Sequence, residues 1–192
     1  MNRAQLLRRS VAGGALLATG GAFAAVASAA PPDADLAALR LVIATELLKL
    51  DFATAALAGG KADAAAATLL KQMHADDTAH YTGLASLFTG AGQTPATADD
   101  IDFSYPSGTF ASATSIAKAT WEMTTTSLGA YLGAAETVTT PRFKLALAQI
   151  AANEAQQVSA AGALTGKPTV GAAFAPALNA DEVTTFLDVY ES

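Results

Sequence analysis

The sequence predicts an all-α protein built as an antiparallel four-helix bundle, with a long crossover between the second and third helices and a short C-terminal helix. Four segments of about 20 to 27 residues place apolar residues at steps of three and four, the period of a helix that buries one face. Residues 93–108 lack this period, and a connection of this length can cross from one end of a bundle to the other. Polar side chains interrupt three of the apolar faces, which indicates a polar bundle interior.

Four regions follow one another along the chain. Residues 1–29 are predicted to be an export signal, residues 30–35 a polar lead, residues 36–165 the bundle, and residues 166–192 a tail that ends in a short helix. Glycine pairs and proline mark the helix ends, as expected for residues that stop or start a helix. The predicted bundle helices run from Leu36 to about Ala58, from Ala62 to Phe88, from about Phe110 to Ala135, and from Pro141 to about residue 164.

The N-terminal region has the three parts of an export signal. Arg8 and Arg9 precede an apolar run from Val11 to Val26, and residues 27–29, Ala-Ser-Ala, fit an A-x-A cleavage site. The arginine pair resembles a twin-arginine signal, which exports proteins already folded. An ordinary Sec signal is the alternative. The expected location is therefore periplasmic or extracellular, with no stable membrane anchor after cleavage.

Charge and cysteine content exclude several classes of protein. Cleavage after residue 29 removes three arginines and no acids, which leaves 8 basic and 17 acidic residues and a formal charge of −9. Such a chain is a poor partner for nucleic acid or anionic lipid. Without cysteine it has no disulfide, no thiolate metal site and no cysteine nucleophile. No serine stands in a nucleophile motif either, so we assign no catalytic residue. The oligomeric state is not predicted.

The second helix carries both histidines of the chain, and one of them falls on its apolar face. That face is formed by Ala66, Leu70, Met73, Asp77, His80, Leu84 and Leu87. Asp77 and His80 lose hydration when the face packs, so they need a partner that compensates the loss. Their i,i+3 spacing lets both reach one metal ion. A metal-free Asp–His pair, hydrogen-bonded inside the bundle, explains the pattern equally well.

The apolar faces of the first and fourth helices also contain polar residues. Glu46 shares the apolar face of the first helix, which otherwise contains Leu36, Leu39, Ile43, Leu50 and Leu57. Glu154 and Gln157 are spaced i,i+3 on the fourth helix, among Phe143, Leu147 and Ile150. Inward polar groups on three helices are typical of bundles that bind a metal in their core.

Several motifs resemble the bacterial ferritin-like domain family that includes desiccation-related proteins. Residues 44–52, ATELLKLDF, are similar to its run ALNLEYLEADF, and residues 77–84, DTAHYTGL, to its E-x-x-H-V-x-x-L. Asp102-Phe103 resembles its Phe-containing loop, residues 130–135 resemble its AYLGAA, and EAQQ at residues 154–157 stands where the family has E-A-R-H. The motifs occur in the family's order on the matching helices.

The resemblance implies a set of metal-ligand positions that this chain fills only in part. Carried over, the six positions fall on Glu46, Asp77, His80, Thr124, Glu154 and Gln157. Thr124 and Gln157 replace a carboxylate and an imidazole, and Asp77 is one methylene shorter than glutamate. Two divalent ions need more anionic oxygen than three carboxylates supply. The remaining ligands, Glu46, Asp77, His80 and Glu154, fit one iron or manganese ion, or a metal-free polar network.

These observations lead to three functional hypotheses. The first is an exported ferritin-like protein without an intact di-iron centre, with a stress-related, desiccation-related or structural role. The second is a metal-dependent oxidoreductase or iron-handling protein, which the incomplete ligand set disfavours. The third is a binding module that uses the bundle interior or the long loop, and no residue pattern selects it.

Overall fold

The structure is a computed structural model that describes residues 30–191, so the predicted export signal lies outside the described residues. In this range the chain forms five α-helices and one 3₁₀ turn, Ala98–Asp100. The helices are α1 Asp33–Ala58, α2 Ala64–Thr89, α3 Ala113–Thr137, α4 Pro141–Leu164 and α5 Ala180–Asp188. The predicted all-α class is confirmed. The third helix begins at Ala113 and not near Phe110, because Ser112 caps it by accepting a hydrogen bond from the backbone N–H of Ser115.

Helices α1 to α4 form an antiparallel bundle. Helix α1 packs on α2 and α3, and α4 packs on α3 and α2. Short turns join α1 to α2 and α3 to α4, and Gly60 adopts a φ of 64° in the first of them. The long segment between α2 and α3 is the predicted crossover, which makes α1 and α3 neighbours that run in opposite directions.

Asp35 connects the start of α1 to the turn between α3 and α4. Its carboxylate accepts hydrogen bonds from the backbone N–H groups of Thr139 (3.0 Å) and Thr140 (2.7 Å), just before α4 begins. Burial opposes the charge, but these hydrogen bonds lower the pKa of Asp35. Pro32 occupies the N-cap position of α1, so Asp35 lies within the helix and reaches across the bundle.

The crossover is held to the bundle by aromatic residues and by the end of the chain. Tyr105 contacts the rings of Phe52, Phe110 and Tyr190, and its hydroxyl donates to Asp51 at 2.7 Å. The backbone N–H of Ser104 donates to the carbonyl of Tyr190 at 2.7 Å. The crossover therefore pairs with the C-terminal residues along the bundle surface.

Residues 166–179, which we call the C-terminal strap, run from the end of α4 back across α3. The backbone N–H of Leu178 donates to the carbonyl of Gly129 at 2.9 Å. A Cβ atom on Gly133 would overlap the carbonyl oxygen of Leu178, so the strap can approach α3 this closely only because residue 133 is a glycine. Asn179 then caps α5 by accepting from the N–H of Glu182 at 3.0 Å.

Candidate functional site

Four predicted ligands meet in the bundle interior. Each contributes one ligand atom, and these atoms all lie within 4.8 Å of one another. The three carboxylates are fully buried, whereas the His80 side chain is 12% exposed and is the member nearest to solvent. Helices α1, α2 and α4 supply the four residues, each at a position that the helical period directs toward the bundle interior. We call this set the acid–histidine group, and it consists of Glu46, Asp77, His80 and Glu154.

A lysine that the sequence analysis missed lies at the centre of this group. The Lys49 ammonium donates hydrogen bonds to Asp77 Oδ1 at 2.8 Å and to Glu154 Oε1 at 2.6 Å. Its Nζ also lies 3.7 Å from Glu46 Oε2, and its side chain is only 1% exposed. A buried lysine is rare unless it is paired. Here one ammonium pairs with carboxylates from three helices.

The two weaker candidates, Gln157 and Thr124, have different environments. Gln157 is buried, and its Nε2 donates to Asp77 Oδ1 at 2.9 Å, so it belongs to the network. Thr124 is also buried, but its hydroxyl donates to the backbone carbonyl of Trp121 at 3.1 Å. Gln157 therefore hydrogen-bonds a buried carboxylate, whereas the Thr124 hydroxyl donates within its own helix.

Helix α3 contributes a tyrosine to the centre. The Tyr131 hydroxyl donates to Glu46 Oε1 at 2.5 Å, and the whole side chain is buried. Burial and the nearby carboxylates raise the pKa of Tyr131 well above its usual value, so it stays protonated and acts as a donor. The family motif at residues 130–135 gave no indication that Tyr131 donates to a carboxylate.

Burial and neighbouring charges shift the pKa values of the buried groups in the centre in different directions. Burial opposes the charge of Lys49, but the surrounding carboxylates raise its pKa above the usual range. Burial likewise opposes the charge of Glu154, but Lys49 and His80 lower its pKa. For Asp77, burial outweighs the attraction of Lys49 and raises the pKa to about 7. Lys49 is therefore the permanent cation of the site, and Asp77 takes up a proton more easily than Glu154.

His80 adds a second cation at the edge of the centre. Its Nδ1 lies 3.4 Å from Glu154 Oε1 and 3.6 Å from Glu46 Oε1. Burial opposes protonation, but these two carboxylates raise the pKa of His80 to about 9. Nδ1 is 3.7 Å from Asp77 Oδ1, so the Asp–His pair suggested by the i,i+3 spacing is not a direct hydrogen bond. The other histidine, His74, is not a member of the group.

Several polar atoms of the centre have no hydrogen-bond partner among the described residues. They are Glu46 Oε2, Asp77 Oδ2, His80 Nδ1, Glu154 Oε2 and Gln157 Oε1. Unpaired buried polar atoms are costly and rare in native proteins. The centre therefore offers more acceptor atoms than Lys49 and Tyr131 satisfy.

Comparison with known proteins identifies one family. Residues 34–167 match the sequence profile of a family described as Ferritin-like domain. The matched range contains all four bundle helices except the first residue of α1. No curated protein matches the chain. Within residues 30–191, none of the helices is both long and apolar enough to cross a membrane.

Proposed function

Because the chain belongs to the ferritin-like domain family, we propose that it is an exported member whose polar centre holds the bundle together and does not oxidise iron. The observation that carries this proposal is the position of Lys49. Its Nζ contacts Asp77 at 2.8 Å and Glu154 at 2.6 Å, the oxygens that a metal ion would need. An ammonium in this position neutralises the carboxylates and joins α1 to α2 and α4.

The donor set does not fit the pair of metal ions that ferritin-like di-iron proteins hold. Those proteins use four carboxylates and two histidines from four helices. Here Thr124 bonds its own helix and Gln157 offers a neutral amide. Two divalent ions would also bring four positive charges next to the Lys49 ammonium. These features support a metal-free structural centre.

Export is part of the proposal and rests on residues 1–29. Replacing Arg8 and Arg9 by lysine should retain the protein in the cytoplasm if the twin-arginine pathway carries it. Undiminished export of this variant would indicate the Sec route. Cytoplasmic retention of the unaltered chain would refute export altogether.

A structural role in stress, including desiccation, follows from the family resemblance and from a centre whose cation belongs to the chain. The purified protein should regain its native circular dichroism after drying and rehydration in the presence of a chelator. Failure to refold without added metal would count against this role.

The second candidate function is a metal-dependent oxidoreductase or iron-handling protein. It is favoured by the acid–histidine group, whose ligand atoms lie within 4.8 Å of one another. Elemental analysis of protein purified from its native export route, combined with an Fe²⁺ oxidation assay, separates the two candidates. The structural proposal predicts no tightly bound ion in the centre and no catalysed oxidation. Two tightly bound ions and catalysed oxidation would establish the second candidate.

A further inference from the structure

Lys49 and a metal ion would need the same two oxygen atoms. Nζ accounts for one lone pair of Asp77 Oδ1 and one of Glu154 Oε1, at 2.8 and 2.6 Å. Metal–oxygen bonds to carboxylates are shorter still, at about 2.0 to 2.6 Å. An ion that bridged the same two oxygens from the side of Nζ would take the position of the ammonium, so the two cations compete for that position.

The acid–histidine group nevertheless keeps unused ligand atoms. Glu46 Oε2, Asp77 Oδ2, Glu154 Oε2 and His80 Nδ1 are buried and have no hydrogen-bond partner within residues 30–191. They come from three different helices and belong to the four residues whose ligand atoms lie within 4.8 Å of one another. Three carboxylates and one imidazole form a complete ligand set for a single divalent transition-metal ion.

Charge favours such an ion once the ammonium is removed. With Lys49 present, the three carboxylates already have a cation in contact, and a further double charge is repelled at close range. Without Lys49, the three buried carboxylates keep only His80 at the edge of the centre to offset their charge, which favours a further cation. His80 is the least buried member, with its side chain 12% exposed.

We propose that Lys49 is an internal competitor for a single-ion site formed by the acid–histidine group, which binds one divalent transition-metal ion when the ammonium is absent. This inference rests on the proposed function, since it takes Lys49 as the resident cation. It concerns one ion held by four residues, and not the six-ligand pair of ions described above.

Titration with Co²⁺ tests the proposal, because ligand-field absorption reports direct coordination. We expect Lys49→Met to bind one Co²⁺ per chain at least about a hundredfold more tightly than the wild type. Lys118→Met is the matched control, since Lys118 is 73% exposed and pairs with Glu122 at 3.8 Å on the surface. It should bind Co²⁺ as weakly as the wild type. Adding His80→Gln to Lys49→Met should abolish the ligand-field spectrum.

The outcomes separate this inference from the proposed function. Equal Co²⁺ affinity in the wild type and Lys49→Met would overturn the inference. If Lys49→Met is unfolded without metal, one equivalent of Co²⁺ must restore its helical circular dichroism, and failure to do so overturns the inference as well. The metal content and Fe²⁺ oxidation of the wild type test the proposed function separately, since neither measurement involves the variant.

Discussion

Replacing Lys49 by methionine should destabilise the protein strongly in metal-free buffer. Methionine keeps most of the aliphatic volume, so the change removes the charge and leaves little cavity. At an effective dielectric constant of about 20, the contacts with Asp77 and Glu154 are each worth roughly 6 kcal/mol before desolvation. Desolvation cancels a large part, and breaking a buried ion pair costs about 3–5 kcal/mol in measured cases. We expect a loss of this size in the free energy of unfolding.

Urea denaturation followed by circular dichroism at pH 7, with a chelator present, measures this loss. Lys118→Met should stay within about 0.5 kcal/mol of the wild type, because its ion pair is exposed. The expected loss is a large share of the roughly 5–15 kcal/mol that stabilises an ordinary domain. A loss below about 1 kcal/mol would refute the reasoning, since it would mean that the three carboxylates are neutralised without Lys49.

Three further predictions concern Tyr131, His80 and Gly133. Tyr131→Phe should lower the free energy of unfolding, measured by urea denaturation, by about 1–3 kcal/mol, because a buried carboxylate loses its hydrogen-bond donor. Tyr105→Phe should lower it by less, because the hydrogen bond of the Tyr105 hydroxyl is exposed. Equal losses in the two variants would contradict this prediction. The pKa of His80 is raised from 6.5 to about 9, so its stabilisation is present below pH 6.5 and is lost as the pH rises through 9. The stability difference between wild type and His80→Gln should therefore shrink by about 1–2 kcal/mol between pH 6 and pH 10, and a constant difference would exclude a charged His80. Gly133→Ala should destabilise the protein and expose the C-terminal strap to limited proteolysis. Gly83→Ala is the control, since a Cβ at this position of α2 meets open space, and it should stabilise the protein by about 0.5–1 kcal/mol. Equal proteolysis of the two variants would contradict the close approach of the strap to Gly133.

The polar interior could be predicted from the sequence because its acids interrupt regular apolar faces. Glu46, Asp77 and Glu154 each stand three or four residues from buried aliphatics, and the i,i+3 spacing of His80 from Asp77 brings it to the same region. The apolar periodicity of a single helix indicates which of its residues face inward, so each of these acids could be identified from the sequence of its own helix.

Lys49 could not be found in the same way, because periodicity allows a step of either three or four residues. From Glu46 a step of four leads to Leu50, which is apolar and fits the predicted face, whereas a step of three leads to Lys49. The structure buries Lys49 and leaves Leu50 partly exposed. The available indication was that Ala53 and Ala56 continue the face that passes through Lys49. A choice of step based on hydrophobicity alone cannot find a buried charge whose partners lie on other helices.

The two neutral positions show the same limit. Gln157 and Thr124 were placed by resemblance at matching ligand positions, yet only Gln157 reaches a carboxylate. Threonine has a short side chain, and its hydroxyl finds an acceptor one turn back in its own helix. Whether a side chain crosses the bundle depends on its length and on local competition, neither of which a position in a motif specifies.

The covalent attachment of the Lys49 cation has a consequence for how the bundle depends on its surroundings. A protein held together by a dissociable ion gains stability that grows with the free concentration of that ion, and loses it when the ion is scarce. Lys49 cannot be diluted, exchanged or removed by a chelator, because its ammonium is tethered to α1 by its own side chain. It also cannot change oxidation state. The contribution of this ammonium to the attachment of α1 to α2 and α4 is therefore set by the sequence and by pH, and does not vary with the concentration of any free ion.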